Sequence, residues 1–493
     1  MLKRNILSII LLFAAINVSA QTYSGGTGTY SNPYLISSKA DMVSLANTVN
    51  NGTNTYEGKF FRLTKSLTGA NALTTSVGVI NSYAFRGVFN GNGYEVELNN
   101  AQGGVFDNIY NATIQNLDVK GTISNTLKNV SYVGGICGHA YNSTIAYCNN
   151  TASLTFINAE HSEIGGICGN AEVGTIITDC FNSGKISTSS SYYLIGGICG
   201  SILNSTILNS YNVGNISVNS TNYYYTGGIC GYGGSSLIKN CFSANANIEV
   251  KIGEAKSGNG WRIVGTLSNI LVCNNNYALS TMTINGSIVN SSNTDDQNGA
   301  GATLANFKSQ SWIQTTLGWD FNAIWQMSSS NSVNQGFPII RSTTKPIQYN
   351  INAKAGNNGS ISSGGDLKIN QGGSKSYTFM PNSGFQIYQV LIDGSNNSQA
   401  ISSGTYTFAE VSRNHTIEVS FCPLSPPIFS GGSGTHESPY LISSKADMVA
   451  LADAVEGGNT YEGKFFRLTK SLTGENIINR SVEIGKASCR ERV

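Results

Sequence analysis

The sequence predicts an all-β fold: a parallel β-helix of stacked coils, closed at its start by a short helical cap and followed by a small β-rich module. Three observations predict it. Pairs of glycines recur at Gly103-Gly104, Gly134-Gly135, Gly165-Gly166, Gly196-Gly197 and Gly227-Gly228, with residue numbers rising by 31 each time, and the last four continue as Ile-Cys at Cys137, Cys168, Cys199 and Cys230. Each repeat holds three short β-like runs, as at residues 133–137, 143–148 and 152–157, separated by Gly, Asn and Ser. Charged residues make up only 11% of 493, where about 25% is usual, while glycine reaches 56, so Asn, Ser and Thr supply most of the polar surface.

The elements follow in chain order. Lys3 and Arg4 precede an apolar run that ends at Val18-Ser19-Ala20, the pattern of a signal peptide over residues 1–20 with export expected. The run is short of the ~20 apolar residues a membrane-spanning helix needs, and no integral membrane segment is expected. Residues 21–102 read as an N-terminal cap and a first irregular coil. Ser38-x-x-Asp41 resembles a capping box, and Met42, Leu45, Ala46 and Val49 follow at the spacing of one helical face. Such a helix at the start of an array covers core and strand edges that would otherwise be open.

Residues 103–290 are the coils, with Ile263-Val264-Gly265-Thr266 as a degenerate sixth copy. A coil cannot bury its apolar face alone, so coils must stack about 4.8 Å apart, with equivalent residues in register. Six of them predict a three-sided rod roughly 30 Å long. One inward row is Cys137, Cys168, Cys199 and Cys230, and a second is Leu117, Cys148, Cys180, Ser210, Cys241 and Cys273. Beside the second row, Asn116, Asp179, Asn209 and Asn240 are placed to hydrogen-bond from coil to coil.

The Gly-Gly-Ile-Cys-Gly repeats resemble the GLUG motif of bacterial surface proteins, which include adhesins and the N-terminal region of immunoglobulin-A-cleaving metallopeptidases. The resemblance spans roughly residues 23–343 and implies a right-handed β-helix and export, leaving the ligand open. It extends to residues 291–345, where Phe307, Trp312, Trp319, Phe321, Trp325 and Phe337 look like that family's C-terminal cap. Residues 346–422 resemble internalin B-repeat-like modules, through Ser383-Gly384-Phe385, Tyr406-Thr407-Phe408 and residues 415–421. Residues 423–428 form a Pro-rich linker. Residues 429–474 repeat residues 23–69 almost verbatim, so residues 429–485 read as the start of a second, truncated β-helix module. Residues 484–493 resemble a translated sequencing adapter, and residues 486–493 are expected to belong to no fold.

The chemistry suggested is sparse. Twenty-nine basic against 27 acidic residues leave +2, which gives no electrostatic footprint for nucleic acid. Four histidines include no His-Glu-x-x-His pattern, no Cys-x-x-Cys pair exists, and neither metal nor cofactor is expected. In-register side chains point parallel, so the cysteine rows read as buried free thiols that pack as small hydrophobes. A polysaccharide-active β-helix enzyme would need clustered carboxylates on one face, and only Glu160 and Glu254 fall at similar register positions, three coils apart. Aromatic residues suggest a ligand face at Tyr192, Tyr193, Tyr223, Tyr224 and Tyr225, with a second row at Phe181, Tyr211 and Phe242. The expected function is that of a secreted, non-catalytic, modular surface protein, adhesin-like or scaffold, binding glycan or an extracellular protein. Its alternatives are a polysaccharide-active enzyme and the non-catalytic portion of a larger secreted peptidase.

Overall fold

The computed structural model describes residues 23–473 apart from 126–131, 158–161, 191–192, 221–223, 253–255, 258–259, 268–270, 329–333, 342–346, 424–428 and 457–460. The expected signal peptide, nearly all of the expected linker and the last residues of the chain therefore lie outside the described residues. The chain divides into two units, one to Thr343 and one from Thr344.

The first unit is a parallel β-helix. In the coil that starts at Ser162, the chain runs through strands Ser162–Gly165, Cys168–Glu172, Ile176–Thr178, Phe181–Asn182 and Ile186–Ser190. Each strand pairs in parallel with its counterparts one coil before and one coil after. The three-sided expectation is corrected here, because the first β-like run of each repeat is broken at its glycine pair into two strands lying in separate sheets. The array is also longer than six coils. Strands Tyr34–Ile36, Phe60–Leu63 and Val88–Asn90, within the cap region, already stack in the same nine-stranded sheet as Ile176–Thr178.

Close approach explains the glycines. None of the five pairs sits at positive φ. A Cβ on Gly165 would lie 2.0 Å from the Cys168 carbonyl oxygen, one on Gly166 would lie 2.3 Å from Asn182 Cγ, and one on Gly169 would lie 2.4 Å from the Val133 nitrogen. Real Cβ contacts are never that short, so the three glycines of Gly-Gly-Ile-Cys-Gly are where backbone passes directly against backbone. The first strand of the coil thereby folds back against the second.

Two side-chain ladders run along parts of the stack, the first interrupted where Tyr147 holds the position between Asn116 and Asp179. Asn209 Nδ2 donates to Asp179 Oδ1 at 3.4 Å, Asn240 Nδ2 to Asn209 Oδ1 at 3.4 Å, and Asn275 Nδ2 to Asn240 Oδ1 at 2.9 Å, while Asn116 Nδ2 reaches Asn90 Oδ1 at 3.1 Å. All these residues except Asn90 hold a left-handed backbone, which Asn and Asp tolerate better than other non-glycine residues. A second ladder, fully buried, links Asn150, Asn182 and Asn212 at 2.8 and 2.9 Å. Each of its amides also bonds its own backbone two residues on, which stitches the break between the fourth and fifth strands of the coil. One coil earlier Val119 occupies this position, and there the chain runs as one strand, Asp118–Asn125.

Cys137, Cys168, Cys199 and Cys230 pair in register and are fully buried. All cysteines among the described residues are free. The second row needs one correction. Cys273 pairs with Ile238, and it is Asn276 whose Oδ1 accepts from the Cys241 nitrogen at 3.0 Å, because the degenerate last coil holds additional residues.

The starting cap is the helix Lys39–Asn50, whose Met42, Leu45, Ala46 and Val49 are buried. Burial alone would raise the Asp41 carboxyl pKa, yet hydrogen bonds from the Ser37 backbone and the Ser24 and Ser38 hydroxyls hold it below its ordinary value.

In the second unit, a five-stranded sheet and a three-stranded sheet form the module after residue 346, and Tyr377 and Phe379 are buried while Thr378 is exposed. The repeated cap follows, with helix Lys445–Glu456 and parallel strands Tyr440–Ile442 and Phe466–Leu468. Phe465 and Leu468 are 46% and 57% exposed, whereas their equivalents Phe60 and Leu63 are 4% and 0% exposed beneath the first array.

Replacing Gly197 by Ala places a methyl group 2.1 Å from the Gly228 carbonyl oxygen, and overpacking of this kind costs about 1–3 kcal/mol. Replacing Cys199 by Ala removes one buried atom and no bridge, a cost on the order of 1 kcal/mol. Denaturant midpoints of the two variants should fall in that order, and reductant should leave the wild-type midpoint unchanged; unfolding by reductant alone would contradict the free-thiol packing.

Candidate ligand-binding site

Among the described side chains, Tyr193 and Tyr225 do not form a row of exposed rings. Tyr192 and Tyr223 lie outside the described residues. Tyr193 is 1% exposed, because strand alternation turns it to the same side as Ile195 and into the core. Tyr224 shares its register position. Tyr225 points outward and is 39% exposed, but its partners down the stack are Leu194, then Glu163, then Tyr132, so the outward column is chemically mixed.

Beside that corner lies a group of titratable side chains. His139 Nε2 is 3.6 Å from Glu172 Oε2, Asn170 Nδ2 donates to Glu172 Oε1 at 3.0 Å, and the His139 ring stacks with Tyr132. Burial, followed by the charge of Glu172, pushes the Glu163 carboxyl up to about 8. Burial lowers the pKa of His139.

The second aromatic row is covered by the molecule itself. Phe181, Tyr211 and Phe242 stack at 5.1 and 4.7 Å between ring centroids, and the C-terminal cap docks on them. Phe307 stacks on Phe242 at 4.5 Å, Trp319 stacks on Trp325 at 4.4 Å, and Trp325 and Phe337 each approach Tyr211 at 6.0 Å. The cap is also tied to the Asn ladder, for Trp325 Nε1 donates to Asp179 Oδ1 at 3.0 Å and Trp319 Nε1 to the Asn240 carbonyl at 2.9 Å. The Tyr211 hydroxyl donates to the Pro338 carbonyl at 2.5 Å. These rings hold the cap against the side of the solenoid.

The same column changes character toward the start of the array. Register places Glu95, Asp118, Asn149 and Phe181 side by side on successive coils. The cap's strand pair, Trp325–Met327 with Pro338–Ile340, reaches this polar end and encloses a groove of about 330 Å³ lined by Glu95, Asp118, Lys120, Tyr147, Asn149 and Arg341 among others. Lys120 Nζ binds Glu95 Oε2 at 2.6 Å. Burial, with the neighbouring Glu95 charge, pushes the Asp118 carboxyl up to about 7. Arg341 is occupied with its own cap, donating from Nε to Trp325 O at 2.9 Å and from Nη2 to Phe321 O at 2.7 Å.

Reading the sequence missed the juxtaposition of Glu95 and Asp118. Glu95 lies before the regular period begins, so a 31-residue register cannot align it, although Tyr94-Glu95-Val96-Glu97-Leu98 alternates as a strand should. Among the described residues no group of three His, Cys, Asp or Glu side chains is arranged to hold a metal ion. Nor is any described helix long and apolar enough to cross a membrane.

Residues 129–155 match the family model of the GLUG motif, so the chain is a β-solenoid carrying that motif. Solved structures are similar to it, two of them as follows. One is a Bacteroides ovatus protein described as a candidate immunoglobulin A1 protease, at 18% identity and a TM-score of 0.49, over 65% of this chain and 96% of that one. The other is named IgA1 protease, at 16% identity and a TM-score of 0.33, over 50% of this chain and 21% of that one. No curated protein matches the chain.

The raised carboxyls carry a pH prediction. Folded Glu163 and Asp118 still hold protons that the unfolded chain has released, so the folded state binds more protons and stability falls as pH rises through their folded values of about 8 and about 7. At and above pH 7 His139 is largely neutral in both states and opposes this little. Burial also holds the thiols of Cys168, Cys199 and Cys230 well above their ordinary value, so they act in the same direction. The melting temperature should therefore be lower at pH 8.5 than at pH 7, and Glu163→Gln should remove the part of the difference that this carboxyl contributes. A melting temperature that rises over this range would contradict the assignment.

Proposed function

We propose that the chain is an exported, non-catalytic, modular surface protein, adhesin-like or scaffold in role, which binds an extracellular glycan or protein through the side of its β-helix. The observation that carries this reading is the side groove, where a rigid register sets carboxyl, amide, hydroxyl and ring groups into one concavity of a charge-poor molecule. Ligand sites combine a few placed polar groups with apolar lining in this way. Coils fixed by backbone pairing lose little conformational freedom when a ligand arrives, which favours binding of extended partners. Export is supported by the charged, apolar and small-residue order of residues 1–20. The repeated cap at residues 429–473 supports modularity, through which weak single sites gain avidity.

Binding of the full chain to a glycan array and to a panel of extracellular-matrix proteins tests the reading. Because the chain carries a net charge of only +2, retention should persist from 0.15 to about 0.5 M salt, where the screening length falls well below 10 Å. Retention of no ligand, or retention abolished by salt, would contradict it.

A further inference from the structure

We infer that the groove between the polar end of the Glu95–Phe181 column and the C-terminal cap is a subsite for one or two hexose residues of a neutral glycan, with the Asp118 carboxyl as its principal hydrogen-bonding group. The inference rests on the binding function proposed above and adds a place and a ligand class to it.

Four features converge. The first is that the cap leaves this stretch of the column open: its rings cover Tyr211 and Phe242, and its strand pair supplies one wall of the groove without filling it. Asp118 provides the second. Its carboxyl is half-buried on the groove floor, and none of the described side chains hydrogen-bonds it, whereas Glu95 beside it is engaged by Lys120 at 2.6 Å. A carboxyl so placed is completed by a ligand hydroxyl, with which it pairs either ionised, as acceptor, or protonated, as donor.

The third feature is the state of the cations. Lys120 is committed to Glu95, and Arg341 to two backbone carbonyls of the cap. With Asp118 ionised, the two carboxyls lining the groove, Glu95 and Asp118, are matched by two cations, Lys120 and Arg341, so neither an anionic nor a cationic sugar gains net attraction and a neutral ligand fits best. The fourth is the lining on either side of Asp118. Asn149 and Thr151 offer amide and hydroxyl groups, while the half-buried Ile339 and Ile340, backed by the largely buried Phe181 and Tyr147 rings, add apolar lining, the combination that meets a sugar's hydroxyls and its C–H face. At about 330 Å³ the groove lies within the ~300–1,000 Å³ typical of small-molecule sites.

The test is calorimetric titration of the full chain with neutral trisaccharides (β-1,4-glucan, α-1,4-glucan, β-1,4-mannan and N-acetylglucosamine series) and with a galacturonate trimer. At least one neutral trimer should bind. Asp118→Ala should weaken it at least tenfold, and Ser183→Trp, which fills the groove floor without altering Asp118, should abolish it. Tyr225→Ser at the corner should leave it unchanged. Melting temperatures within about 2 °C of wild type, for a carboxyl that has no bonds to lose, show that the variants are folded. Neutral trimers bound equally by wild type, Asp118→Ala and Ser183→Trp would overturn the groove and leave glycan binding standing. Binding of the galacturonate trimer alone would overturn the ligand class, and binding of no saccharide would overturn both the subsite and the glycan reading.

Discussion

Close backbone approach at the glycines of Gly-Gly-Ile-Cys-Gly is the contact on which the rest of the first unit depends. Where a Cβ would stand 2.0–2.7 Å from a neighbouring carbonyl or amide, no other residue fits without moving the backbone. That approach folds the first strand of each coil against the second and closes a dense core of Ile136, Ile167, Ile198 and Ile229 beside the cysteine row. The second glycine of three pairs, Gly135, Gly166 and Gly197, also leaves room for the buried amide ladder of Asn150, Asn182 and Asn212. These amides are satisfied by their own backbone and by each other, which is the condition under which a buried polar row stabilises rather than costs.

From that core outward, register does the positioning. Each coil repeats the direction of every side chain, so one change of residue type changes the chemistry of a whole column. In the column that starts at Glu95 the change is from carboxyl and amide to phenyl, and it divides the side of the solenoid into an open half and a half covered by the cap. The cap is held by stacked rings together with two indole hydrogen bonds to the Asn ladder and its backbone. A single surface thus supplies both the docking platform and, at its polar end, the concavity available to a ligand.

Much of this was legible in the sequence, for definite reasons. The 31-residue period placed the glycine pairs, the first cysteine row and the Asp179, Asn209 and Asn240 ladder, because stacking requires equivalent residues to meet. The helical face of the cap was legible from Met42, Leu45, Ala46 and Val49. Three things were not. The break inside the first β-like run was hidden, because Val133 to Cys137 reads as continuous apolar sequence and only the depth of the glycine contacts reveals the fold-back. The inward turn of Tyr193 was hidden because adjacent tyrosines at the corner fall on alternate faces of a strand whose phase the tyrosines alone do not set. Last, the neighbours of Glu95 and of Cys273 lie where the period is broken at the two ends of the array, and register counted from the regular coils does not reach them.

The central claim is that the coils act as one body, locked by backbone contacts at the glycine fold-back. The amides of Ile167, Ile198 and Ile229 each donate at 2.9 Å to the carbonyl of the next coil immediately beside those glycines. Native-state hydrogen exchange at these three amides, followed across low denaturant, is the direct measurement, since it separates local opening from unfolding of the whole. The account predicts that all three exchange slowly and with the full denaturant dependence of unfolding. Exchange at the rate of exposed turn amides, independent of denaturant, would show that the fold-back opens locally and would contradict it.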